Sequence, residues 1–67
     1  MRILVTGAFG QLGTALCRTA SDGFDVIETG MRIPDGRNGI WIDIRDLLML
    51  KNLINVTSPD VIVNLAA

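Results

Sequence analysis

Met1-Arg2-Ile3-Leu4-Val5-Thr6-Gly7-Ala8-Phe9-Gly10-Gln11-Leu12-Gly13 is a short apolar run that breaks into three spaced glycines and then takes up a helical pattern. Ile3, Leu4 and Val5 are continuously apolar, as in a strand covered on both faces of a parallel sheet. The Gly-x-x-Gly-x-x-Gly spacing suits a strand that turns sharply into a helix and lets an anion approach bare backbone. Gly7 takes turn dihedrals that a Cβ would oppose. Gly10 removes a side chain where a pyrophosphate would sit, and Gly13 lets the helix pack close to the strand. Free N–H groups and the positive end of the helix dipole then face the phosphates. Such placement contributes roughly 0.3–1 kcal/mol per charge when exposed and up to about 2 kcal/mol when partly buried. A glycine-rich turn without a ligand is the bland alternative, and the order strand, turn, helix argues against it.

Working outward, Gln11 to Ser21 reads as a helix with Leu12, Ala15, Leu16 and Thr19 on its apolar stripe, and Asp22-Gly23 as its stop. Phe24 to Thr29 is a second strand. Gly30 to Gly39, with Pro34, Asp35 and Asn38, has the chemistry of a loop. Ile40 to Ile42 is a short third strand. Asp46 is placed to cap a helix whose face carries Leu47, Leu50, Leu53 and Ile54 and which ends near Val56. Pro59 drives Ser58 out of the helical region, and Asp60 to Leu65 forms a fourth strand. This succession is half of a doubly wound α/β fold, a partial Rossmann sheet with parallel strands in the order 3-2-1-4. The second mononucleotide-binding half is missing. Residues 1–67 are therefore expected to be the N-terminal, incomplete part of a larger enzyme's domain. The uncovered face of the last strand predicts instability or association with other chains, including homo-oligomers.

Composition narrows the classes further. The chain has 67 residues, is 49% apolar and carries a net charge of −1, which gives no reason to expect nucleic-acid or membrane partners. No apolar run approaches the roughly 18 residues of a membrane span. Because the chain opens on a strand, a secretory signal is not expected. Cys17 is the single cysteine and histidine is absent, so neither an internal disulfide nor a metal site is expected, and a reducing cytoplasm fits. Cys17 reads as a small buried hydrophobe, Trp41 as a partly buried strand residue, and Met31 and Met49 as gap-fillers.

Three segments carry a family resemblance. Thr6-Gly7-Ala8-Phe9-Gly10-Gln11-Leu12-Gly13 resembles the Thr-Gly-x-x-Gly-x-x-Gly loop of the extended short-chain dehydrogenase/reductase superfamily. Ile42-Asp43-Ile44-Arg45-Asp46 is similar to its Asp-hydrophobic-x-Asp segment after the third strand, and Pro59 to Ala67 to the end of its fourth. Within the superfamily, Gly10 to Gly13 together with Asn64 to Ala67 is most similar to the dTDP-4-dehydrorhamnose reductases, which reduce a 4-keto nucleotide sugar with NADPH or NADH. The resemblance implies that the backbone at Phe9, Gly10, Gln11 and Leu12 lines the pyrophosphate. It implies that Asp43 accepts from the adenine amino group with Ile44 against the ring, and that Leu65, Ala66 and Ala67 pass along the adenosine ribose and pyrophosphate. The bland alternatives are that Asp43 caps or precedes a helix and that Ala66 and Ala67 are ordinary small residues of a strand end. A nucleotide-sugar epimerase or dehydratase would share every motif, and a non-catalytic dinucleotide-binding regulator would share the fold.

The chain departs from an NAD-binding pattern at the end of the second strand. An acidic residue there usually holds the ribose hydroxyls, and here the position falls on Gly30, followed by Met31 and Arg32. Glycine does not repel a 2′-phosphate, and Arg32 could pair with one, so NADP is favoured with NAD possible. Glu28 is the rival if the strand ends earlier, and a solvated loop arginine is the bland reading of Arg32. The superfamily's chemistry uses a Tyr-x-x-x-Lys pair, yet the chain has no tyrosine and its one lysine, Lys51, falls on the second helix. These residues are thus expected to bind cofactor and to include no catalytic group, with the sugar held by segments outside them.

Overall fold

A computed structural model of the chain describes residues 1–66, so the reading of Ala67 lies outside the described residues. The elements are β1 (Arg2–Thr6), α1 (Gln11–Ala20), β2 (Asp25–Gly30), β3 (Ile40–Trp41), α2 (Leu47–Thr57) and β4 (Val61–Asn64). The strands form one parallel sheet in the order β3-β2-β1-β4, the order that right-handed crossovers require. Val5 lies level with Glu28 and Val63, and Thr6 with Thr29 and Asn64, so the carboxyl ends of β1, β2 and β4 finish together.

The apolar run of β1 occupies the centre of the sheet. Leu4 and Val5 are wholly buried on opposite faces. Val5, Ala8 and Cys17 form the core under α1, joined by Ile3, Phe9, Leu16, Val26, Val63 and Leu65. The crossover from β3 to β4 runs back across the sheet, which puts α2 on the face opposite α1. The polar residues at the strand ends pair with one another. Thr6 Oγ1 donates to Asn64 Oδ1 at 2.7 Å, Asn64 Oδ1 also accepts from Ala66 N–H at 3.1 Å, and Thr29 Oγ1 donates to the Val5 carbonyl at 2.8 Å. At the other end of the sheet, Arg2 bonds Asp25 through its side chain and Asp60 through its backbone N–H.

Several local expectations are corrected. The buried face of α1 is Gly13, Leu16 and Cys17, whereas Leu12 is 68% exposed and Ala15 and Thr19 face solvent. The cause is Gly13, whose missing side chain seats the helix against Ala8 and so sets its rotation about its axis. α1 ends at Ser21 in the right-handed region, with Gly23 N–H and Phe24 N–H both donating to the Ala20 carbonyl, so no left-handed glycine stop is used. β2 is shifted by one residue from its expected span. Trp41 is 52% exposed rather than partly buried, its indole N–H donating to the Met31 carbonyl at 2.9 Å. Asp46 caps α2 as expected, accepting from Met49 N–H, and Ser58 before Pro59 leaves the helix in the left-handed region at φ 48°. No helix among the described residues is long and apolar enough to cross a membrane, and no group of potential metal ligands occurs among them.

Candidate functional site

The fold constrains the three glycines of the β1–α1 turn to different degrees. Gly7 lies at φ +70°, and a Cβ on it would stand 2.6 Å from Ala66 N and from the Leu65 carbonyl carbon. On Gly13 a Cβ would stand 2.7 Å from the Ala8 carbonyl carbon and oxygen, and closer still to the Gly7 carbonyl oxygen. These two hold the turn against the end of β4 and the helix against the turn. Gly10 has an ordinary extended backbone at φ −74°, ψ 178°, and a Cβ there would meet only the Gly7 carbonyl oxygen at 3.9 Å. The fold does not need a glycine at position 10, whereas an anion pressed against the backbone does. No side chain caps α1 and no acid stands in its first turn, so its leading N–H groups face outward without an internal acceptor.

Beside this helix start lies a cleft of about 560 Å³, within the usual range of roughly 300–1,000 Å³ for small-molecule sites. Gly7, Gly30, Met31, Ile42, Asp43, Ile44, Arg45 and Ala66 line it. Those residues follow the carboxyl ends of all four strands, the place where doubly wound sheets receive ligands. Of the residues expected from sequence, Gly7, Gly30, Met31, Asp43, Ile44 and Ala66 meet in this cleft. Gly10, Gln11 and Leu12 stand exposed at the adjoining helix start, and Gly13 is buried beneath it. Leu65 and Phe9 pack towards the core, and Arg32 is exposed on the β2–β3 loop outside the cleft wall.

Asp43 is held by Arg45, a residue that sequence reasoning passed over. Asp43 Oδ1 accepts from Arg45 Nε at 2.9 Å and from Arg45 N–H at 3.0 Å, and Oδ2 accepts from Nη2 at 2.8 Å. These bonds hold the Asp43 carboxyl at about 2, below the usual carboxylate range. Asp43 thus presents a fixed negative charge to the cleft and leaves the helix cap to Asp46. The folded value lies below the unfolded one, so the pair's contribution is present above about pH 4 and is lost as pH falls through about 2. Substituting Arg45→Ala should raise the Asp43 carboxyl towards the ordinary range, read by carbon NMR titration. An unmoved titration would show that Arg45 is not the cause. The signal available in the sequence was the i, i+2 spacing of Asp43 and Arg45 in one tight turn.

Glu28 is excluded as the acid at the end of β2. The strand continues to Gly30, whose carbonyl accepts from Ile42 N–H at 3.0 Å, so Glu28 remains inside it. Its Oε1 pairs with Arg37 Nη2 at 2.5 Å beside Thr14, Cys17 and Ser21, on the α1 side and away from the cleft. The Cys17 thiol in that neighbourhood is pushed up by burial and then by Glu28, against a smaller opposing effect of Arg37.

Known proteins share this architecture. The chain is 33% identical over 75 aligned positions to an uncharacterized epimerase/dehydratase of Staphylococcus saprophyticus, covering 98% of the chain and 23% of that protein. A monomeric L-threonine 3-dehydrogenase of metagenomic origin, solved in its apo form, matches with a TM-score of 0.86 and 30% identity over 97% of the chain and 23% of its own length. The dTDP-glucose 4,6-dehydratase of Bacillus anthracis, solved in complex with NAD, matches with a TM-score of 0.73 and 25% identity over 100% of the chain and 27% of its own. The chain therefore spans about a quarter of the length of these relatives. The profile of the RmlD substrate binding domain family matches residues 1–67, and the chain belongs to that family.

Proposed function

We propose that residues 1–67 are the N-terminal, dinucleotide-binding part of an NAD(P)-dependent oxidoreductase that reduces a nucleotide-linked 4-keto sugar in the cytoplasm. The observation that carries this reading is Gly10, a glycine that the backbone does not demand, at an uncapped helix start beside a cleft across the strand ends. The bound dinucleotide supplies the hydride, and the residues described here bind and orient it. Backbone N–H groups from Gly10 to Gly13 receive the pyrophosphate. Asp43, fixed by Arg45, accepts from the adenine amino group while Ile44 packs against the ring. Leu65, Ala66 and Ala67, with small or inward-turned side chains, let the ribose and pyrophosphate lie close. The acid for the carbonyl oxygen and the sugar-binding groups belong to other segments, since the chain holds no tyrosine.

No carboxylate stands at the end of β2, so Gly30 and Met31 offer nothing to repel a 2′-phosphate. Arg32 follows them in sequence and is exposed, and its guanidinium is the group that would pair with a 2′-phosphate, which favours NADP. Trp41 provides the readout, because its indole N–H is bonded to the carbonyl of Met31 in the cleft wall. Titrating the intact protein with NADPH and NADH should change indole fluorescence, with NADPH binding more tightly. In an Arg32→Ala variant NADPH should weaken about two- to fivefold, as for an exposed ion pair, and NADH should be spared. Equal weakening of both would remove Arg32 from the 2′-phosphate, and a silent titration of folded protein would remove the cofactor itself. The names of two relatives favour an epimerase or dehydratase as the second reading. Stoichiometric consumption of NADPH by a 4-keto nucleotide sugar supports the reductase, whereas turnover without net consumption supports the alternative.

A further inference from the structure

The end of β2 is where dinucleotide folds set a carboxylate against the ribose hydroxyls. Gly30 occupies it, with a φ outside the left-handed region, so its backbone does not call for glycine. The side chain that calls for it is Phe9. A Cβ on Gly30 would stand 2.9 Å from Phe9 Cδ2 and 3.4 Å from Cε2. At the far end of the β2–β3 connection, a Cβ on Gly39 would stand 3.1 Å from Phe9 Cε2 and closer still to Cζ. Two glycines from opposite ends of one loop therefore form the seat of a single ring. Arg37, from the same loop, places its guanidinium carbon 5.0 Å from the ring centroid and is itself held by Glu28. Phe9 belongs to the phosphate-binding turn, between Gly7 and Gly10. The ring thus ties that turn to the β2 end and to the loop that carries Arg32.

We propose that Phe9 is a specificity-determining residue for the dinucleotide. Its ring, seated on Gly30 and Gly39 and held by Arg37, fills the volume that an acidic side chain at position 30 would need. Position 30 is thereby kept free of a carboxylate, and the cleft wall at Gly30 and Met31 presents no negative charge to a 2′-phosphate. This rests on the cofactor reading above and adds to it the element that closes the site to the NAD-type solution.

The test is calorimetric titration of the intact protein with NADPH and with NADH, alongside thermal unfolding, for the wild type and for Gly30→Asp, Phe9→Ala and the double variant. Gly30→Asp alone should weaken both dinucleotides at least tenfold, because the displaced ring deforms the phosphate turn. Phe9→Ala should keep the wild-type order of preference. The double variant should bind NADH within about threefold of the wild type while NADPH stays at least tenfold weaker. Selectivity for NADH in Gly30→Asp equal to that of the double variant would overturn the proposal, since the ring would then be no obstacle. So would wild-type preference in the double variant. If Gly30→Asp does not fold, the comparison of Phe9→Ala with the double variant carries the test. A double variant that also fails to fold would show that the ring is not what bars the acid. Wild-type protein that binds neither dinucleotide would instead remove the underlying cofactor reading.

Discussion

Replacing Gly7 with alanine is expected to lower the unfolding free energy by about 2–5 kcal/mol, combining a left-handed backbone cost of about 1–2 with an overpacking cost of about 1–3. The first arises because Gly7 sits at φ +70°. The second arises because the new Cβ would stand 2.6 Å from Ala66 N and 2.8 Å from the Leu65 carbonyl oxygen. Those atoms are backbone, and they are tied down. Leu65 N–H donates to the Thr6 carbonyl at 2.9 Å and Ala66 N–H to Asn64 Oδ1 at 3.1 Å. Relief would require opening the β1–β4 edge, where both the β1–α1 turn and the cleft wall are anchored. Gly36→Ala is the control, since Gly36 has φ +79° but no atom within 4 Å of a Cβ. Denaturant unfolding of the intact protein should therefore show a much smaller loss for Gly36→Ala than for Gly7→Ala at similar slope. Equal losses would mean that the close approach of turn and β4 is absent. Against a typical total of about 5–15 kcal/mol, the Gly7 change is large.

The parts of this architecture that sequence could reveal are those fixed by local chemistry or by chirality. The order β3-β2-β1-β4 follows from alternating elements and right-handed crossovers, and the cap at Asp46 follows from residue type. The rotation of α1 did not follow, because periodicity counts side chains and the contact that sets it is the absence of one at Gly13. The clamp of Arg45 on Asp43 was missed for a related reason. A charged residue in a turn reads as solvated until its partner's position is known, and Arg45 closes on a neighbour two residues away. Glu28 was a live rival only while the end of β2 was uncertain by two residues. The backbone bond from Ile42 to Gly30 settles that end, and no pattern within β2 encodes it. The residues that line the cleft were thus legible from their places after the strands, whereas the reason for glycine at positions 30 and 39, the ring of Phe9, appears only once the side chains are placed.

Gly10→Ser should move stability and cofactor binding in opposite directions. The backbone at position 10 is extended, which serine adopts without strain, and its Cβ would meet no atom closer than 3.9 Å. A serine hydroxyl there can accept from the N–H of Leu12 or Gly13, supplying the cap that α1 lacks and adding a few tenths of a kcal/mol. The same hydroxyl occupies the space above the helix start and takes the donors a pyrophosphate would use. Loss of that charge–dipole contact, up to about 2 kcal/mol, corresponds to roughly 30-fold weaker binding of NADPH and NADH alike. Titration and thermal unfolding on the same sample read both quantities. Substitutions at Gly7 or Gly13 would depress stability and binding together, so their loss of binding says nothing about where the ligand lies. Position 10 separates the two because the fold leaves it unconstrained. A serine variant that keeps wild-type affinity would place the diphosphate elsewhere, whatever its effect on the helix.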